Sequence, residues 1–316
     1  MAQKKSKTES TRVVIIGTGS VGATTAFALM TQGIASEIVL IDRNKNKAQG
    51  EAKDLEQGLS FVPQAKVWAG GYADCRQADV IIITAGLAQK PGQTRLELTK
   101  TNGEIIKGII KEIKRYTKDA IILVVTNPLD VMTYLASKES GFAAGRVLGS
   151  GTTLDSSRFR YYLAKKTGLA ATSVGAYLLG EHGDSSVPVY SHVNVMGEPI
   201  GSLPGATKKA AVAAYKTARN AAYEVIAKKG ATYYAIALAA SRLVRAILYD
   251  ENHVFPVSVL LKGEYGLKDV CLSVPAVIGR TGVKKIIKVK LNAAETKQLH
   301  RSAKIIQKAI ADVKKK

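Results

Sequence analysis

Cysteine is all but missing from this chain: Cys75 and Cys271 stand alone and far apart. Two such thiols define neither a disulfide framework nor metal-ligand spacing, so no metal is expected and a reducing cytoplasm is the expected setting. Long apolar runs are also missing. The longest, such as Ala120-Ile121-Ile122-Leu123-Val124-Val125, is strand-length and too short to span a bilayer. Residues 1–11 are polar and lysine-rich, without the apolar stretch of a secretory signal. Acidic residues are scarce, 25 against 46 lysines and arginines, a net charge of +21. A basic excess can mark a nucleic-acid or membrane binder. Here no basic run is interleaved with aromatics as a single-strand binder needs. The lysines read as solvated helix faces and tails, as in Lys314-Lys315-Lys316. Neither nucleic acid nor a membrane is expected as a partner, though the charge suits anionic small molecules.

What is present is an ordinary core fraction, 46% hydrophobic over 316 residues. That length suggests two domains. Residues 12–16 form a short β-branched run, followed by Gly17-Thr18-Gly19-Ser20-Val21-Gly22 and an apolar helix. A G-x-G-x-x-G motif between strand and helix is the context a dinucleotide needs. Gly17 permits the turn, Gly19 lets the backbone approach a pyrophosphate, and Gly22 lets helix and strand pack closely. The helix N-terminus offers unpaired N–H groups to the anion. A second strand, residues 37–41, ends in Asp42, placed to accept from ribose hydroxyls. A carboxylate there repels a 2′-phosphate, so NAD is expected over NADP, with Arg43 read as solvent-exposed.

Helices and strands go on alternating: a helix over 45–58, strands at 66–69 and 79–84, a helix over 96–116, a strand over 120–125 and a last one ending near Gly149. This predicts a doubly wound parallel sheet of α/β class, with ligands at the carboxyl ends of its strands. The dinucleotide-binding domain is placed at residues 1–150 and an α+β catalytic domain at 151–316. In the second half, long helices are expected over 206–229, 231–248 and 293–314, and antiparallel strands over 251–262, 271–278 and 286–289. No internal repeat appears.

The residues that carry chemistry cluster in three places. Gly180-Glu181-His182-Gly183-Asp184 sets one histidine between two carboxylates on a glycine-bounded path. Histidine exchanges protons near neutral pH, although a lone one is more often structural. Asp155 and Arg158 share a face of a helix running to about residue 166. They form either a surface ion pair or, respectively, the partner that orients the His182 ring and a fork for a substrate carboxylate. Residues 85–95, rich in glycine and containing a proline, form either a surface loop or a lid that brings in Arg95.

Taken together these stretches resemble the NAD-dependent L-lactate dehydrogenases of bacterial type, in the lactate/malate dehydrogenase family. The resemblance runs from Val13 to about Ile310. It rests on Gly17 to Gly22, the segment Gln89-Lys90-Pro91-Gly92-Gln93-Thr94-Arg95, Thr126-Asn127-Pro128, the stretch from Ser150 to Arg160, Gly180 to Asp184, and Lys229-Gly230-Ala231-Thr232-Tyr233-Tyr234. It implies that His182 is the proton donor and acceptor and Asp155 its partner. It implies further that Arg158 grips the substrate carboxylate, Arg95 polarises the carbonyl, Asn127 bonds the substrate oxygen and Thr232 lines the pocket. The resemblance also makes Asp42 the expected ribose-binding acid, and implies that Val21, Lys47, Tyr72, Gly86, Asn127 and Ser150 join the glycines against NAD.

The resemblance also bears on substrate and assembly. Gln89 occupies a position that is glutamine in lactate enzymes and arginine in malate enzymes. A neutral amide leaves a second carboxylate unpaired in a dry site, so pyruvate and lactate are expected over oxaloacetate and malate. A homotetramer is implied. Arg160 matches an arginine that binds the activator fructose 1,6-bisphosphate at a subunit interface, but the companion histidine position is Gly175, which has no cation to offer. The alternatives are a malate dehydrogenase and, from another class, a basic nucleotide- or nucleic-acid-binding protein without chemistry.

Overall fold

A computed structural model describes residues 10–87, 95–202 and 206–314. Gln89, the rest of the 88–94 segment and the side chain of Arg95 lie outside the described residues. In chain order the first half is β1 (Arg12–Ile16), α1 (Ser20–Thr31), β2 (Glu37–Ile41), α2 (Lys45–Gln57), β3 (Lys66–Ala69), β4 (Val80–Ile83), α3 (Arg95–Ile113), β5 (Ile121–Val124), α4 (Leu129–Ser140) and β6 (Val147–Gly149). The second half begins with α5 (Thr153–Thr167), β7 (Val174–Gly175), β8 (Leu178–Leu179), β9 (Val187–Pro188), β10 (Asn194–Val195) and β11 (Glu198–Pro199). It ends with α6 (Lys208–Lys229), α7 (Tyr234–Leu248), β12 (His253–Lys262), β13 (Lys268–Gly279), β14 (Gly282–Ile286) and α8 (Ala293–Lys314).

Six parallel strands in the order β3-β2-β1-β4-β5-β6 make the predicted doubly wound sheet. The order reverses between β1 and β4, where ligands bind in such sheets. The inner strands are buried on both faces, and all four residues of β4 are inaccessible, which is why they read as unbroken Val/Ile runs; the edge strand β3 buries only Val67. The sheet does not stop at β6. The antiparallel β12, β13 and β14 extend it to nine strands, with Ser258 of β12 opposite Gly149 of β6. Strands from both halves of the chain thus share one sheet.

Besides the short strands β7 to β11, which no pattern announces, two features differ from expectation. Helix α4 was not anticipated. Nine of its residues are buried, because it packs against α3, α8, β6, β12 and β13. A helix covered on nearly every side has no polar face to betray its period. The last strand lies at 282–286 rather than 286–289. Gly279 pairs with Gly282 across a two-residue turn, and Gly282 supplies a φ of +85°, so the hairpin closes earlier than apolar patterning implied. Among the described residues, no helix is long and apolar enough to cross a membrane.

Candidate active site

The dinucleotide loop is shaped by close approach. A side chain on Gly17 (φ +102°) would meet the Ala85 backbone, and one on Gly22 would run into the Gly17 carbonyl oxygen. Gly19 faces open space, as a backbone that receives a pyrophosphate must. The helix α1 begins one residue later, presenting its N-terminus to the opening. Asp42, just past β2, accepts from the Thr18 N–H at 2.8 Å, the Thr18 hydroxyl at 3.0 Å and the Asn44 N–H at 2.9 Å. Burial raises its pKa, but these bonds and the Lys47 charge outweigh it and hold the carboxyl below the usual range. An ionised carboxylate has about four acceptor sites, so with three filled capacity remains for one ribose hydroxyl. A cavity of about 540 Å³ is lined by Gly17, Gly19, Asp42, Lys47, Tyr72 and Gly86 among others. The Tyr72 hydroxyl, pushed up to about 12 chiefly by burial, is a neutral donor there. The residues present therefore fit a dinucleotide: an open glycine approach, a helix N-terminus and an acid at the end of β2.

A second cavity, of about 390 Å³, lies where the carboxyl ends of β5 and β6 meet the second half of the chain. Val21, Asn127, Ser150, Asp155, Arg158, His182 and Thr232 all line it. Asn127 precedes Pro128 in a cis peptide, and its carbonyl accepts from the Asn102 side chain at 2.8 Å. Asn102 also exchanges bonds with the Leu87 backbone, tying Leu87 to α3. Arg95 is the first residue of α3.

His182 sits just after β8, on the left-handed turn that Gly180 (φ +84°) makes. Its Nδ1 lies 2.6 Å from the carboxylate of Asp155, whose other oxygen accepts from Arg158 Nη1 at 2.9 Å. The i,i+3 spacing on α5 thus serves both expected readings at once, as ion pair and as ring partner. Burial disfavours the imidazolium, yet the charge and hydrogen bond of Asp155, aided by Asp130, outweigh burial and the opposing Arg158, so the ring's pKa is raised above its ordinary 6.5. Asp155 shows the converse. Burial would raise it, but His182 and Arg158 together hold it below the usual carboxylate range. With Nδ1 occupied, Nε2 is the nitrogen left to exchange a proton.

Sequence reasoning missed residues behind and around the cavity. Asp130, of α4, is 1% exposed and accepts from the His182 backbone N–H at 2.8 Å and from Ser258 Oγ at 2.6 Å. Tyr223 of α6 donates to Asp184 at 2.9 Å, beside the His182 loop. Nothing in the spacing of these residues announces them; only the tertiary contact does. The position of Asp130, three residues after Asn127 and in the first turn of α4, was the one available signal.

The geometry is that of a nicotinamide-dependent dehydrogenase, with a dinucleotide cleft opening beside a carboxylate-poised histidine and an arginine. Comparison with known proteins decides the family. Residues 11–149 match the lactate/malate dehydrogenase NAD-binding domain, and residues 152–316 match the lactate/malate dehydrogenase alpha/beta C-terminal domain.

The chain belongs to the lactate/malate dehydrogenase family.

Among its relatives in this family is L-lactate dehydrogenase 1 of Clostridium acetobutylicum, 48% identical over 310 residues, covering 96% of this chain and 99% of that one. The L-lactate dehydrogenase of Acetivibrio thermocellus is 46% identical, covering 95% and 96%. Among solved structures, the lactate dehydrogenase MGS-M5 from a Medee basin deep-sea metagenome library superposes with a TM-score of 0.94 at 44% identity, covering 96% and 99%. The minor L-lactate dehydrogenase of Enterococcus mundtii gives 0.94 in its ligand-bound form, at 43% identity, covering 97% and 99%. Members of the family so similar over their whole length place the chain among NAD-dependent oxidoreductases.

Proposed function

We propose that the chain is an L-lactate dehydrogenase, reversibly reducing pyruvate to L-lactate. The observation that carries this reading is the Arg158–Asp155–His182 chain of contacts beside the dinucleotide cleft. The chemistry that bound NADH supplies is hydride donation to the carbonyl carbon. The remaining needs fall to side chains. His182, held protonated by Asp155, gives a proton from Nε2 to the carbonyl oxygen and takes it back in lactate oxidation. Arg158 keeps N–H donors beyond the one bonded to Asp155, and orients the substrate carboxylate. Arg95, which matches the family's lid arginine, is the residue proposed to stabilise the negative charge that develops on the carbonyl oxygen. Asn127 bonds that oxygen, and Thr232 shapes the far wall. Val21, Lys47, Tyr72, Gly86 and Ser150 join Gly17, Gly19, Gly22 and Asp42 in holding the cofactor. Asp42 favours NAD over its 2′-phosphorylated relative, which an ionised carboxylate repels.

Gln89 is proposed to select pyruvate. NADH oxidation should be fast with pyruvate and slow with oxaloacetate. Gln89→Arg is expected to invert that order, because the guanidinium then pairs with the second carboxylate that the amide leaves unmatched. A wild-type protein that prefers oxaloacetate in this two-substrate assay would sink the lactate assignment in favour of malate.

Fructose 1,6-bisphosphate is expected to leave the rate at low pyruvate unchanged. Arg160 is held by burial below its ordinary pKa and bonds the Ser156 carbonyl at 3.4 Å. A side chain at Gly175 would meet the Asn194 amide, so the position offers no phosphate a partner. A clear activation at millimolar bisphosphate would overturn this. We further propose a division into domains near residue 150, a cytoplasmic setting, in keeping with two buried free thiols, and a homotetramer. Exposed Phe27 on α1 and Tyr234 and Leu238 on α7, two helices that pack together, supply apolar surface for such an assembly.

A further inference from the structure

Three consecutive backbone N–H groups fasten the histidine loop, each to a different element. Gly180 donates to the Ser273 carbonyl of β13 at 2.9 Å, Glu181 to Ser302 Oγ of α8 at 2.8 Å, and His182 to Asp130 Oδ2 of α4 at 2.8 Å. The first two acceptors are neutral. The third is a carboxylate, almost inaccessible, whose other oxygen accepts from Ser258 Oγ in the middle of β12. A neutral acceptor holds the adjacent N–H of Glu181 well enough. Burying a carboxylate costs far more than burying a hydroxyl. A charge at Asp130 is therefore more than anchoring needs.

The groups that face this carboxylate are few. Beside the His182 backbone stand the Glu181 carboxyl, which opposes its ionisation, the His182 ring, which favours it, and Cys271 of β13, whose thiol is pushed up by burial and by Asp130 itself. Facing the ring are Asp155 and Arg158 of α5 in addition to Asp130. Burial pushes Asp130 up to about 6, against the pull of Ser258, the His182 N–H and the His182 charge. The carboxyl is thus ionised at neutral and alkaline pH and takes up a proton on mild acidification.

We infer that Asp130 is a second positioning residue for the proposed reaction: it fixes the backbone of His182 and lends the imidazolium a second negative charge, while Ser258 keeps that charge ionised in a buried place. Asp155 thus acts on the ring through Nδ1, and Asp130 acts from behind, through the main chain and through space. The inference rests on the dehydrogenase reading above.

The test is Asp130→Asn in the full-length protein. The amide has the same shape, accepts one N–H and donates to Ser258 Oγ, so the scaffold persists and the charge is lost. Two profiles are recorded against pH: the rates of pyruvate reduction and lactate oxidation, and carbethoxylation by diethyl pyrocarbonate, which attacks neutral imidazole, mapped to the peptide containing His182. The alkaline limb of pyruvate reduction and the acid limb of lactate oxidation are both expected at lower pH than in the wild type. The pyruvate rate at pH 8, relative to that at pH 6, should fall about threefold or more, and His182 should be modified faster on the acid side. Limbs and modification profile that stay in place, even with lowered stability, overturn the inference and leave Asp130 a structural anchor. If Asp130→Asn yields no folded protein, Ser258→Ala decides. It removes the donor that keeps Asp130 ionised, so the same limbs move in the same direction by less, and an unmoved profile again overturns it. A wild type that reduces neither pyruvate nor oxaloacetate would sink the dehydrogenase reading instead, with the modification profile still judging Asp130.

Discussion

His182→Ala is expected to lower pyruvate turnover by about 10²- to 10⁴-fold, the range that positioned proton transfer contributes, while NADH binding, followed by fluorescence titration, stays near the wild-type value. Most of the residues proposed to hold the dinucleotide, Gly17, Gly19, Asp42, Lys47, Tyr72 and Gly86, line the cavity at the ends of β1, β2 and β4, and His182 is not among its lining. The pH dependence carries a sign. Because Asp155 raises the ring's pKa against the effect of burial, the imidazolium persists above the ordinary histidine range. Pyruvate reduction needs the protonated ring, so its rate is full below that raised value and falls as pH rises through it. Lactate oxidation needs the neutral ring and runs the opposite way. In His182→Ala both limbs should vanish from this range. A variant that keeps wild-type turnover, or keeps the limbs, removes His182 from the chemistry.

Arg158→Ala is expected to lower kcat/KM for pyruvate by about 10²- to 10⁴-fold. Two hydrogen bonds to a carboxylate are lost, each worth about 1.5–3 kcal/mol when charge-assisted. A second consequence separates this role from mere packing. The Arg158 charge opposes protonation of His182. Without it the alkaline limb of pyruvate reduction should move to higher pH, even as the rate falls. Arg158→Lys restores the charge but not the planar fork, so it should return the limb toward its original place while recovering only part of the affinity. Steady-state kinetics across pH with all three proteins checks this. An Arg158→Ala protein with unchanged KM for pyruvate would show that the guanidinium serves only as the partner of Asp155.

Much of this protein was legible before any coordinates. Strand runs such as Val80-Ile81-Ile82-Ile83 announce a sheet buried on both faces, because side chains that meet apolar neighbours above and below need no alternation. The glycines of residues 17–22 and the acid at the end of β2 are local devices: their spacing is set by one turn and one helix start, which short-range chemistry dictates. The i,i+3 pair of Asp155 and Arg158 belongs to the same kind, since a helix alone puts them on one face. Helix α4 was invisible for the opposite reason. Its period is erased where every side is packed, and the shortest strands, β7 to β11, are two residues each and carry no pattern at all.

The sequence by itself determined the doubly wound sheet, the dinucleotide turn and which residue types could perform a proton and hydride transfer. Each of those follows from local geometry or from side-chain chemistry. Only the tertiary structure decided that the ring of His182 meets Asp155 across 27 positions of chain, that Asp130 and Ser258 close on its backbone from α4 and β12, and that the last three strands extend the first sheet. Those contacts join segments far apart in the chain. Their cause is burial of the shared core, which brings distant elements together and leaves the buried polar groups to find each other.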